Sequence, residues 1–186
     1  MKKMILTALV AVVSLAANAQ FWAGGEVGFT ADKTTNNGTK FQNSATFSLL
    51  PEIGYTINDK FDFAVLIGMQ HGNARNINEE YETNYNSFIL KPYIRYKFAK
   101  AGDFTFFVDG GFGYKYNHWS EYEDNRIDWS LGLNPGFSYS ISDKVSLVAH
   151  VGDLSYTFSK AGDWKYNKFN MGVSGNNLTF GAYVSF

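Results

Sequence analysis

Ser87-Phe88-Ile89-Leu90-Lys91-Pro92-Tyr93-Ile94-Arg95-Tyr96-Lys97-Phe98 decides the architecture, because its two faces carry different chemistry. Phe88, Leu90, Pro92, Ile94, Tyr96 and Phe98 lie on one face; Ser87, Ile89, Lys91, Tyr93, Arg95 and Lys97 lie on the other. A period of two marks a β-strand between two unlike environments.

Seven further runs alternate in the same way: Phe21–Thr30, Ala45–Ile57, Phe61–His71, Phe104–Tyr116, Ile127–Ile141, Val145–Phe158 and Leu178–Phe186. Ile127, Trp129, Leu131, Leu133, Phe137 and Tyr139 oppose Asp128, Ser130, Gly132, Asn134, Gly136 and Ser138. In the seventh run Asp153-Leu154-Ser155 breaks the pattern, and a bulge is expected there. Eight regularly spaced strands predict an all-β meander.

Residue size separates the two architectures this pattern allows. A soluble sandwich or barrel turns long charged side chains to water and its apolar face inward. Here the polar face is rich in Gly, Ser, Thr and Asn, with charges of both signs: Glu26, Glu52, Asp62, Asp109 and Asp128 against Lys91, Arg95, Lys97 and Lys115. Small residues and neutralising charges suit a narrow lumen, and an outer face of Phe, Leu, Val and Tyr suits lipid. Only closure into a barrel leaves no unpaired edge in hydrocarbon. The expected fold is an eight-stranded antiparallel up-and-down transmembrane β-barrel. A soluble periplasmic ligand-binding barrel of lipocalin type is the alternative.

Connections support the membrane reading. Short ones (Asn58–Lys60, Ala99–Asp103, Ser142–Lys144) alternate with long polar ones (Ala31–Ser44, Gly72–Asn86, Asn117–Arg126, Ser159–Asn176). Tight turns in the periplasm and long loops outside is the outer-membrane pattern, which places both termini in the periplasm. All three prolines fall in Pro-x-apolar-x-Tyr units, Pro51 to Tyr55, Pro92 to Tyr96 and Pro135 to Tyr139. Proline removes a ladder donor, so a shared local device such as a bulge is expected at that level. The Tyr closing each unit would join Phe21, Phe61, Phe63, Phe104 and Phe106 in a periplasmic aromatic girdle.

Composition closes off other classes. Phe, Tyr and Trp number 17, 12 and 4 among 186 residues, too aromatic a chain for a disordered one. The chain has no cysteine for a disulfide or thiolate metal site, and its net charge of −1 gives no reason to expect nucleic acid. Lys2, Lys3, the apolar run Ile5–Leu15 and Ala17-Asn18-Ala19 form the three parts of a secretory signal, cleaved between Ala19 and Gln20. Residues 1–19 are thus the expected signal peptide and 20–186 the barrel domain.

On these residues the chain resembles the small eight-stranded outer-membrane barrels of the OmpA/OmpX type and the wider outer membrane protein β-barrel domain family. The most specific element is the end, where Leu178, Phe180, Ala182, Val184 and Phe186 alternate up to a terminal aromatic. The resemblance implies that these residues signal insertion to the barrel-assembly machinery, in the outer membrane of a Gram-negative bacterium with lipid and lipopolysaccharide around it. The signal's Ala-Asn-Ala-Gln end resembles Bacteroidetes exports. Fold transfers across such a family better than function does.

Such a barrel can carry three kinds of site. Parity turns His150 into the lumen near Ser146, with Asp109 or Asp128 in range; a hydrogen-bonded network is the expected role, since neither Gly-x-Ser-x-Gly nor His-Glu-x-x-His occurs. No catalytic residue, cofactor or metal ligand is assigned. An eight-stranded interior is filled by side chains, here including Tyr93 and Phe107 beside the charges, so a wide pore is not expected; a narrow passive channel is the alternative. The long loops carry Glu79, Glu80, Glu82, Trp119, Glu121, Glu123, Asp124 and Trp164, candidates for an extracellular ligand. The function read from sequence is a non-enzymatic barrel serving outer-membrane structure, or surface interaction and adhesion through its loops.

Overall fold

A computed structural model describes residues 20–36, 39–76, 82–120, 124–173 and 179–186. Among these residues there are ten strands: β1 (Phe21–Asn36), β2 (Thr39–Thr56), β3 (Phe61–Asn76), β4 (Glu82–Ala101), β5 (Phe104–Trp119), β6 (Arg126–Ser140), β7 (Val145–His150), β8 (Gly152–Ala161), β9 (Trp164–Val173) and β10 (Thr179–Ser185). Each of β1 to β5 pairs antiparallel with the next, β6 with β7, β7 with β10, and β10 with β1. These eight close a ring. The hairpin β8–β9 continues along the far half of β6.

β7 and β8 are one strand with a slip. Gly136 faces His150 while Leu133 faces Leu154, so one extra residue is accommodated on the β7–β8 side. Outward positions change accordingly from odd (Leu147) to even (Leu154, Tyr156). This is the bulge expected near Asp153, and Val151 N–H bridges it by donating to Pro135 O at 2.9 Å.

The fourth long connection differs from expectation. The polarity of Ser159–Asn176 predicts a loop, but most of it is the β8–β9 hairpin turning at Gly162-Asp163. The other strands also run past their expected ends, to Asn36, Asn76 and Trp119. Beyond the bilayer both strand faces meet water, so polarity there reports solvent rather than a loop. Among the described residues β9 pairs with β8 alone, and Val27–Asn36 of β1 pair with β2 alone.

The outward face of the closed ring is dominated by apolar side chains, with Phe29, Met69, Leu131, Tyr156 and Phe180 all more than half exposed. A soluble barrel would bury these side chains; lipid is the solvent that favours them. No helix among the described residues is long and apolar enough to cross a membrane, and the crossing is made by strands.

The proline repeat resolves into ring pairs. Tyr55 packs on Phe21, Tyr96 on Phe61 and Tyr139 on Phe104, with centroids 4.9, 5.1 and 4.9 Å apart, all at the short-turn end. The ladder from β2 to β3 lapses at Leu50 and Pro51 and resumes at Glu52 in the same register. That from β4 to β5 lapses likewise at Lys91 and Pro92. These are interruptions at a missing N–H and not bulges; only Pro135 faces one.

Candidate functional site

The lumen is built from inward positions of every ring strand, and its short-turn half is a packed plug. Arg95 is its centre. Nε and Nη2 of Arg95 donate to Oδ1 and Oδ2 of Asp109 at 2.7 and 2.8 Å. The guanidinium carbon lies 3.8 Å from the Phe107 ring centroid, with the Trp22, Tyr93 and Tyr183 rings also against it. A planar cation stacked between rings and forked onto a carboxylate is the geometry that suits Arg and not Lys.

Hydrogen bonds radiate from this pair. Tyr93 OH donates to Glu52 Oε2 at 2.7 Å. His150 bridges two carboxylates, Nε2 to Asp109 Oδ2 at 2.8 Å and Nδ1 to Glu26 Oε1 at 2.9 Å. Lys97 Nζ donates to Asp62 Oδ1 at 2.8 Å. Phe107 and Ala64 are completely buried and Val148 is 1% exposed, so side chains fill the cross-section.

Glycines make room for these rings. A Cβ at Gly54 would lie 2.1 Å from the Trp22 indole, one at Gly24 2.1 Å from Tyr183 Cδ1, and one at Gly136 2.7 Å from Phe107 Cζ. The glycine-rich inner face seen in the sequence therefore holds large aromatics flat against the wall.

The long-loop half is different. Lys115 Nζ donates to Gln70 Oε1 at 2.6 Å, and Lys91 Nζ to Asn134 Oδ1 at 2.5 Å. Both were expected among mutually neutralising charges, yet each ammonium bonds a neutral amide. Asp128 is taken by Arg126 at 3.0 Å and by Asn117 Nδ2 at 2.9 Å. The lumen charges thus form a tight cluster around Arg95 and Asp109 and a separate, looser basic region. Which carboxylates His150 meets depends on strand stagger, which the sequence pattern does not carry.

At the rim, Trp119 turns inward and packs on Tyr85, centroids 4.8 Å apart, while Tyr85 OH and Thr46 Oγ1 are 2.6 Å apart. Trp129, on the outer surface, lies against Phe112 and Tyr114 and forms the upper ring cluster. Asp124 is exposed and sits over the β8–β9 turn, where a Cβ on Gly162 would lie 2.3 Å from its Oδ2. Trp164 is 83% exposed. Glu79, Glu80, Glu121 and Glu123 lie outside the described residues, as do Leu178, Ala17 and Ala19; Glu82 opens β4 opposite Arg75. Gln20 O accepts from Thr56 N–H at 2.6 Å, and Tyr55 OH donates to its side chain. Phe180, Ala182 and Val184 project outward from β10, and Phe186 N–H donates to Phe21 O at 3.0 Å.

A closed ring of antiparallel strands, lipophilic outside and charged within, defines an outer-membrane β-barrel protein. The chain belongs to the outer membrane protein beta-barrel domain family, whose profile matches residues 4–182. Its structure is similar to that of Neisserial surface protein A, with 19% identity over 89% of this chain and 97% of that one and a TM-score of 0.54. Weaker likenesses are the translocator domain of the autotransporter NalP from Neisseria meningitidis (11% identity, 99% and 94% covered, TM-score 0.46) and Ail of Yersinia pestis (14%, 91% and 100%, 0.43). At these identities the likeness is one of fold. No match is found among curated proteins.

Proposed function

We propose that this outer-membrane barrel is non-enzymatic and works at the cell surface through its long-loop rim, in membrane integrity or adhesion, and not as a through-channel. The plug carries this reading: Arg95, Phe107 and Val148 close the short-turn half of the lumen. The long-loop rim is then the part left to meet other molecules. Acidic loop residues and the exposed Trp164 supply the contacts. The chain enters the membrane after removal of residues 1–19, with the C-terminal strand engaging the assembly machinery, termini in the periplasm and long loops outside.

Planar-bilayer recording with adhesion assays tests this reading. No conductance steps are expected from the purified barrel, and cells displaying it should lose attachment when residues 77–81 and 121–123 are replaced by glycine and serine. Steady conductance in the intact protein would favour the passive channel instead.

A further inference from the structure

We propose that the long-loop half of the lumen is a binding chamber for an anionic group, a carboxylate or a phosphate, gripped by Lys91, Lys115, Arg126 and Lys168. The chamber spans about 640 Å³ between β4, β5, β6, β8 and β9, and among the described residues Asp128 is the one carboxylate lining it. Asp128 is already engaged by Arg126 and Asn117. Among the described residues, Lys91, Lys115 and Lys168 therefore stand beside an Arg126–Asp128 pair that is already matched.

Lys91 and Lys115 make the point sharpest. Both are half-buried on the lumen wall, and the hydrogen-bond partner of each ammonium is a neutral amide oxygen, Asn134 or Gln70. An ammonium has three donors, so each retains capacity for an incoming oxyanion. Asp128 faces Lys115 across the β5–β6 ladder but is held by Arg126 and Asn117, so an anion entering the chamber would supply the direct counter-charge that neither ammonium has at hydrogen-bond distance. The plug half shows the contrast: there Arg95 meets Asp109 and Lys97 meets Asp62 at ion-pair distance. Ion pairs are thus concentrated where the lumen is sealed; in the open half, among the described residues, Arg126–Asp128 is the one ion pair, and Lys91, Lys115 and Lys168 stand beside it.

The far wall fits the same ligand. Trp164 and Tyr166 stand on the lumen side of β9 beside Lys168, 83% and 61% exposed, and offer ring faces next to the cationic floor. An anionic head with an apolar or sugar portion matches this pairing of cations and rings.

Binding is tested with the full barrel, folded in a zwitterionic detergent, by calorimetry and tryptophan fluorescence. The probes are decanoate, decanol and inorganic phosphate. Decanoate should bind at least tenfold more tightly than decanol, and the difference should vanish in Lys91→Gln/Lys115→Gln. Lys115→Arg with Lys91 intact should keep the difference. Binding of phosphate as well would mark a small free anion as sufficient; decanoate alone would mark an amphiphile, such as a lipid, as the source. If the double variant fails to show the heat-dependent gel shift of a folded barrel, Lys168→Gln, an exposed side chain on the lumen side of β9, takes its place, with a threefold or greater loss expected. Equal binding of decanoate and decanol, or anion binding indifferent to these lysines, would overturn the proposal.

Discussion

Arg95 and Asp109 face each other across the β4–β5 ladder, and two parallel hydrogen bonds of 2.7 and 2.8 Å join guanidinium to carboxylate. Arg95 is 4% and Asp109 3% exposed, so neither charge has water to fall back on. Removing one partner strands the other, which costs about 3–5 kcal/mol in buried pairs. Asp109→Ala should lower the urea midpoint of the folded barrel by that order. Arg95→Met combined with Asp109→Leu should recover most of the loss, since an apolar pair of similar volume leaves no uncompensated charge. Additive losses would mean the two residues are not coupled.

Val65 lies on the same outward face as Phe63 and Ile67, level with Pro92 on the neighbouring strand. A lysine there would meet hydrocarbon at a cost of about 2–4 kcal/mol near the midplane. Val65→Lys should reduce the folded fraction recovered in vesicles, whereas a lysine at the exposed turn residue Asp59 should not. Equal folding of both variants would place Val65 away from lipid.

Gly54 holds the Trp22 indole against the lumen wall, with no room for a Cβ. Overpacking a tight interior costs about 1–3 kcal/mol. Gly54→Ala should therefore destabilise the barrel by that amount, and adding Trp22→Leu should relieve it. The check is the urea midpoint of the single and double variants.

Gly102 and Gly162 are the left-handed residues of two hairpin turns, with φ of 59° and 55°. No atom lies within 4 Å of a Cβ built at Gly102, so Gly102→Ala isolates the backbone cost, about 1–2 kcal/mol. The same change at Gly162 must also displace Asp124. Thermal melting of the two variants should rank Gly162→Ala as the more destabilised when Asp124 is present and equal to Gly102→Ala when Asp124 is replaced by Gly.

These two turns also show how far the sequence can be read. The inward and outward faces follow from alternation alone, because lipid and lumen impose opposite chemistry on adjacent residues. The lower turns follow too, since tight hairpins leave little room for other residues. The β9 strand does not, although Lys160-Ala161-Gly162-Asp163-Trp164 repeats Lys100-Ala101-Gly102-Asp103-Phe104 almost residue for residue. The first copy was legible as a tight turn because apolar strands flank it. The second is followed by Lys165, Asn167, Lys168 and Asn170, whose polarity suits a strand standing with both faces in water. Partner choice within the lumen is less legible still. His150 reaches Glu26, which is 124 residues away, because ring closure brings β1 beside β10 and so near β7. Parity gives the direction of a side chain; stagger decides whom it meets.

The most direct measurement is fractionation of the expressed protein followed by gel mobility in detergent with and without boiling. A closed, plugged barrel is recovered with the outer membrane and runs as a compact band that shifts to its full apparent mass of 20.9 kDa or less, according to signal removal, only on boiling. Recovery as a soluble species with the same mobility before and after heating would contradict the membrane barrel and put the apolar face inside.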